Sequence, residues 1–199
     1  MSKKLFVSGI GTGVGKTMAS AMLVKKWNAD YWKPLQSGDL AASDSMMIHQ
    51  LLDGQVRIHP ERYRLQTPAS PHYAAAIDGL EINLSEFKLP ETEANLIVEG
   101  AGGLFVPLNE QHFMIDLIAQ LRLPVVLVLS DYLGCINHSL LSLEALKSRG
   151  IPVAYLLFNG PFLASTKQLI QAQVGPETTC MDLPWLDKLS AEELNKHVF

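Results

Sequence analysis

The chain is expected to fold as an α/β domain with a doubly wound, mostly parallel sheet. Three observations predict it. Apolar runs, rich in β-branched residues and unbroken by polar alternation, recur along the chain, as in strands buried on both faces. Segments with helical spacing separate them. The first run feeds directly into Gly9-Ile10-Gly11-Thr12-Gly13-Val14-Gly15-Lys16-Thr17, a glycine-rich loop of the kind that opens a phosphate-loop nucleoside triphosphate hydrolase fold.

Taken in order, Lys4–Ser8 reads as the first strand, and Lys16 to about Trp27 as the helix after the loop. Tyr31–Lys33 is the second strand. Ser43–Leu52 is a helix that Asp53-Gly54 ends. Residues 54–92 show no regular βα unit and read as an insertion over the edge of the site. Ala94–Glu99 is a strand, and Met114–Leu121 a helix. Val125–Ser130 is a strand followed by a helix that starts at Asn137, a good N-cap, and stops before Gly150, a natural residue for the helix end. Val153–Phe158 is the last buried strand. Two capping-box signatures, Ser165-Thr166-Lys167-Gln168 and Ser190-Ala191-Glu192-Glu193, each announce a further helix. Repeats, low-complexity tracts and linkers are not seen, so a single domain over residues 1–199 is expected.

Composition narrows the classes of function. The chain has 199 residues, 48% of them hydrophobic and 18% charged, which suits a packed core. A formal charge of −4 and an isoelectric point near 5.8 give no electrostatic footprint for nucleic acid. Apolar runs are too short to span a bilayer, and the apolar start is too short for a signal peptide, so a cytoplasmic location is expected. Cys135 and Cys180 have no metal-ligand or disulfide spacing.

The loop carries the chemistry. Backbone N–H groups freed by glycine can point inward around phosphates. Lys16 can reach the β- and γ-phosphates, and the Thr17 hydroxyl can ligate Mg²⁺. Ligands of such sheets bind at the carboxyl ends of the strands, so residues just past each apolar run matter most. Lys33 would emerge beside the strand of the phosphate loop if the two strands are near neighbours. There it would suit an anionic group, though a lysine alone is more often a solvated surface residue. Asp44 is either a first-turn acid complementing its helix dipole or a Mg²⁺ ligand. Glu99 closes a buried strand ahead of Gly100-Ala101-Gly102-Gly103 and so faces metal or nucleotide more readily than a structural partner. The helix start near Leu133-Gly134-Cys135-Ile136-Asn137-His138 is another anion site. Cys135 lacks a basic neighbour that would activate it, and packing is the simpler role. His72 and His138 have no ligand spacing and read as structural residues.

Together these residues resemble the dethiobiotin synthetase family over nearly the whole chain. The resemblance rests on the glycine loop ending Val14-Gly15-Lys16-Thr17, on Lys33-Pro34-Leu35-Gln36-Ser37-Gly38 and on Ser43-Asp44. It continues through Pro68-Ala69-Ser70-Pro71-His72, Val98-Glu99-Gly100-Ala101-Gly102-Gly103 and Leu133-Gly134-Cys135-Ile136-Asn137-His138, then Asn159 and Leu183-Pro184-Trp185-Leu186. The early leading glycine, Gly9, is itself part of that pattern. The resemblance implies ATP- and Mg²⁺-dependent closure of a ureido ring: diaminopelargonate, CO₂ and ATP give dethiobiotin, ADP and phosphate through a carbamate and a carbamic–phosphoric anhydride. ATP would be the co-substrate and Mg²⁺ the cofactor, with no organic cofactor.

By the same resemblance Lys33, Lys16 and Thr12 serve catalysis, and Thr17, Asp44 and Glu99 hold Mg²⁺. Gly13, Val14, Gly15, Lys16, Thr17 and Met18 hold the phosphates, while Asp44 and the segment Glu99, Gly100, Ala101 and Gly102 touch the nucleotide. Asn159 and Gly160, with Pro184, Trp185 and Leu186, would hold the base. Ser37 would contact substrate. A homodimer is implied, in which Leu133, Gly134, Cys135, Ile136 and Asn137 of one subunit receive the carboxylate tail of substrate bound by the other. The chain departs from the family where the loop commonly reads Thr-Asp-Thr-Glu: here Ile10-Gly11-Thr12-Gly13 removes two acidic side chains, and Gly160 replaces another acidic residue. Two other readings stand beside this one. One is a phosphate-loop switch of the partition or cell-division type, although no lysine lies between Gly9 and Gly15. The other is an amide-forming synthetase with a different substrate.

Overall fold

The computed structural model describes residues 2–184 and 190–196. Its centre is a seven-stranded sheet in which every pairing is parallel. The strands are β1 (Lys4–Gly9), β2 (Asp30–Trp32), β4 (Ile58–His59), β6 (Leu96–Gly103), β7 (Val125–Ser130), β8 (Val153–Asn159) and β9 (Thr179–Leu183), in the order β4-β2-β6-β1-β7-β8-β9. The helices are α1 (Lys16–Trp27), α2 (Asp44–Leu51), α3 (Pro71–Ile77), α4 (Met114–Leu121), α5 (Cys135–Ser148), α6 (Ala164–Gln171) and α7 (Ala191–Lys196). The connection from β1 through α1 to β2 travels one way along the sheet, and that from β6 through α4 to β7 travels the other. Since such crossovers are right-handed, α1 and α4 cover opposite faces. The reversal opens a crevice at the carboxyl ends of β1 and β6.

Burial explains why the central strands were legible. Phe6 and Val7 of β1, Leu96, Ile97 and Val98 of β6 and Val125–Leu129 of β7 are sealed on both faces, so they carry no polar alternation. The structure carries three expected strands further: β1 runs on to Gly9, β6 continues through its glycines to Gly103, and β8 reaches Asn159. At the far end of the sheet, Asp30 binds His59 Nε2 at 2.9 Å and accepts from Thr92 Oγ1 at 2.7 Å, pinning the edge strand β4. Asn95 ties two elements there. Its side-chain oxygen accepts from Lys3 N–H at 2.7 Å, and its amide donates to the Trp27 carbonyl, also at 2.7 Å.

Several sequence expectations are corrected. β2 and β1 are not neighbours, because β6 lies between them; Lys33 reaches the site across β6. The helix expected from Asn137 starts at Cys135, capped by Gly134 at φ 105°. That conformation, open to glycine, turns the chain straight from strand end into helix. The Ser165 box does not begin its helix either. Helix α6 starts at Ala164 after extended Leu163, whose N–H donates to Asp131 Oδ2 at 3.3 Å and fixes the entry earlier. The segment 54–92 is more ordered than expected. It supplies β4, helix α3 and the strand β5 (Tyr63–Leu65), which pairs in parallel with β3 (Leu35–Ser37) as a separate two-stranded sheet. The edge strand β9 was not foreseen. The last helix behaves as its box predicts, with Ser190 Oγ accepting from Glu193 N–H at 3.3 Å.

Asn95→Ala removes both bonds at a half-buried site. It is expected to cost about 1–2 kcal/mol, lowering the thermal midpoint by roughly 2–8 °C, as read by scanning calorimetry.

Candidate active site

The turn after β1 and the start of α1 form a cradle of backbone. Gly15 caps α1 at φ 94°. It must also stay bare because the Asn159 carboxamide occupies the space a Cβ would take. From the end of β8, that carboxamide donates to the Val14 carbonyl at 2.9 Å, so the loop is braced from a strand two places away. The loop, the carboxyl end of β6 and the segments 33–39 and 68–71 enclose a cavity of about 650 Å³.

Its floor holds a charge cluster. Lys33, almost wholly buried just past β2, forms a short ion pair with Asp44 Oδ2 and contacts Glu99 Oε1 at 3.2 Å. The solvated-lysine reading is thereby removed. Thr17 Oγ1 lies 2.9 Å from Glu99 Oε1 and 3.1 Å from Asp44 Oδ1. A hydroxyl has one proton to give, so one of these oxygen–oxygen approaches lacks a hydrogen. Three oxygens converging in this way are the donor set of a hard cation, and the residues present fit Mg²⁺. Among the described residues no group of three or more His, Cys, Asp and Glu side chains gathers for a metal. Remaining ligands would therefore come from phosphate and water, as is usual for Mg²⁺.

Electrostatics follow from burial and pairing. Burial works against the Lys33 ammonium, but Glu99 and Asp44 outweigh it and hold its pKa above the ordinary value. Burial also opposes ionised Asp44, yet Lys33 and Thr17 hold its carboxyl below the usual range. Lys16 goes the other way. Burial lowers its pKa, and nearby Lys33 adds to the effect against Glu99 and Asp44. Its ammonium is parked on the Gly11 carbonyl at 3.2 Å. Beneath the cluster, the Tyr31 hydroxyl donates to Glu99 Oε2 at 3.0 Å. Burial, reinforced by Glu99, pushes this phenol well above its ordinary pKa, so it stays a donor.

The cavity brings together Thr12, Gly13, Gly15, Lys16, Thr17, Met18, Lys33, Ser37, Asp44, Glu99, Ala101 and Gly102. Val14 and Gly100 lie buried beneath it, and Gly100 must be small because a Cβ would press the Phe6 ring at 2.7 Å. Ser37 Oγ sits within 3.1 Å of the Thr67 carbonyl and 2.8 Å of the Ala69 carbonyl, fastening the 67–70 segment as a wall. Gly160, Pro184 and the stretch Leu133, Gly134, Cys135, Ile136 and Asn137 do not line the cavity. Trp185 and Leu186 lie outside the described residues. Cys135 is buried, and burial raises its thiol pKa, as packing would have it. His138 Nδ1 is hydrogen-bonded to the Tyr132 hydroxyl at 2.7 Å, whereas His72 is exposed. Sequence reasoning missed Tyr31, Gln36 and the bracing role of Asn159. Gln36 Oε1 meets the Asp44 N–H at 3.4 Å and steadies the start of α2.

Comparisons with known proteins speak to the family and the fold. A family model described as "AAA domain" matches residues 3–193. An ATP-dependent dethiobiotin synthetase from Brucella ovis is 46% identical over 196 residues, covering 98% of this chain and 92% of that protein. Its counterpart from Christiangramia forsetii is 44% identical over 196 residues, covering 97% and 94%. Among solved structures, the signal recognition particle receptor FtsY from Elizabethkingia anophelis superposes with a TM-score of 0.52 at 14% identity. That match covers 98% of this chain, which spans 65% of the receptor. A nucleotide-binding protein in complex with ADP from Archaeoglobus fulgidus superposes at 0.51 with 10% identity, covering 97% and 87%. At such identities the likeness is one of fold.

The lowered pKa of Lys16 makes a testable statement. As pH climbs towards 10.5, Lys16 in the free protein loses its proton early, and a bound polyphosphate draws the proton back. ADP binding is thus expected to take up protons in that range, and its affinity to fall as pH rises through the free-state value. Calorimetry in buffers of different ionisation enthalpy reads the uptake, which Lys16→Arg should abolish.

Proposed function

The chain belongs to the ATP-dependent dethiobiotin synthetase family, and from that membership we propose that it is the ligase that closes the ureido ring of dethiobiotin from diaminopelargonate, CO₂ and ATP. The observation that carries the reading is the juxtaposition, in one cavity, of the phosphate loop with the Lys33–Asp44–Glu99–Thr17 cluster.

The steps balance as follows. One substrate amine adds to CO₂ and releases a proton, giving a carbamate. A carbamate oxygen takes the γ-phosphoryl of ATP and expels ADP. The second amine then attacks the carbonyl carbon of the mixed anhydride and gives up a proton, and phosphate leaves as the ring closes. Loop N–H groups from Gly13 to Met18 bind the phosphates. Lys16 moves from the Gly11 carbonyl to the phosphoryl oxygens, and Lys33 meets the carbamate. Thr12, on the exposed side of the loop, faces the transferring group, and Ser37 with the 67–70 wall orients the substrate. Enclosure of both amines turns ring closure into an intramolecular step. Thr17, Asp44 and Glu99 would hold Mg²⁺, which when bound offsets phosphate charge. Asn159 acts on the nucleotide through the loop it braces, with Gly160 and Pro184 further towards the base.

A homodimer completes the reading. Leu133 is fully exposed at the N-terminus of α5, with Phe105 and Leu141 exposed as well. A helix start that does not line its own cavity suits a partner's substrate carboxylate. No described helix is long and apolar enough to cross a membrane.

Phosphate release from Mg-ATP, with and without diaminopelargonate plus bicarbonate, tests the activity, with the product weighed by mass spectrometry. Release dependent on the diamine and yielding dethiobiotin is expected. Diamine-independent hydrolysis would return the switch reading. Lys33→Gln should lower kcat by about 10²–10³. Leu133→Asp should weaken the dimer at least about tenfold by light scattering on dilution, with turnover falling in step.

A further inference from the structure

We propose that Lys33 is a surrogate cation. In the nucleotide-free enzyme its ammonium occupies the electrostatic place of the metal and keeps the ligand carboxylates assembled, and metal binding expels it towards the substrate. The inference rests on the reading of Thr17, Asp44 and Glu99 as metal ligands.

Geometry carries it. The two carboxylates paired with the Lys33 ammonium are the same two that face Thr17. Glu99 Oε1 is shared, at 3.2 Å by Lys33 Nζ and at 2.9 Å by Thr17 Oγ1. Asp44 divides its oxygens, Oδ2 to Lys33 and Oδ1 to Thr17. Tyr31 also donates to Glu99 Oε2, so both oxygens of this carboxylate already have partners within the protein. Glu99 is 1% exposed, and a carboxylate so placed needs a counter-charge at all times. Two cations cannot share the oxygens without repulsion. Arrival of a divalent ion and departure of the lysine are therefore one event. The departing side chain has somewhere to go, because Lys33 and Ser37 line the same cavity. Its flexible four-carbon stem allows the swing, and its ammonium is one a carbamate can use. Lys33 would thus become available to the substrate only after the metal–nucleotide complex has been seated.

The test measures binding of Mn²⁺ alone, without nucleotide, by the loss of the free-ion electron paramagnetic resonance signal. Lys33→Met is expected to bind Mn²⁺ at least about tenfold more tightly than the wild type. Lys16→Met is the control for charge alone. Lys16 feels both carboxylates through space but is bonded to the Gly11 carbonyl, so its removal should tighten binding less than about threefold. Equal effects of the two substitutions, or none from Lys33→Met, would overturn the proposal. Should Lys33→Met be unfolded alone, Mn²⁺ is expected to restore its circular dichroism, and failure to do so would count against the surrogate role. Mn²⁺ binding to the wild type in the presence of ADP separates the two layers: its absence sinks the metal-ligand reading itself, whereas its presence without a Lys33 effect sinks only the exchange.

Discussion

The site is organised around the burial of the Glu99 carboxyl group inside the sheet. A carboxylate at that depth is tolerable only with a counter-charge and donors. Tyr31 supplies a hydrogen bond from its own strand, Lys33 supplies the charge, and Thr17 adds a hydroxyl from the first turn of α1. Asp44, drawn in from α2, shares the lysine and makes it a bridge between two acids. Four elements are held in register by one group that none of them could bury alone.

Strand order makes this possible. Because β6 is inserted between β1 and β2, the residue at the end of β6 has the phosphate loop on one side and Lys33 on the other. The loop in turn is anchored beyond β7, through the amide of Asn159 on β8. The carboxyl ends of β2, β6, β1 and β8 thus act as one rigid rim, on which the 67–70 wall is fastened through Ser37.

What could be read in the sequence follows the same logic. Strands sealed on both faces declare themselves by composition, so β1, β6, β7 and β8 were legible. The loop declared itself by its glycines and its Lys-Thr ending. β9 did not, since Thr179 and Asp182 are exposed on an edge and its pattern is that of a loop. β3 and β5 are three residues each and take their shape from each other, not from propensity. The start of α5 was misplaced by two residues because a tolerable N-cap, Asn137, competes with the conformational freedom of Gly134. Within the site, residue types were readable and burial was not. Nothing in Lys33-Pro34 tells a solvated lysine from one sealed between two acids, and Tyr31 in one dimension is only an aromatic in a strand.

The hydroxyl of Tyr31 also bears on which ions the cavity can accept. With Oε2 accepting a hydrogen bond from Tyr31, an ion taking both oxygens of Glu99 would compete with a donor that does not titrate in the ordinary range. Large cations such as Ca²⁺ commonly rely on two-toothed carboxylates to reach six to eight oxygens, whereas a small octahedral ion is content with single oxygens and its own water. A phenol on the neighbouring strand would thereby weigh against large cations at this carboxylate.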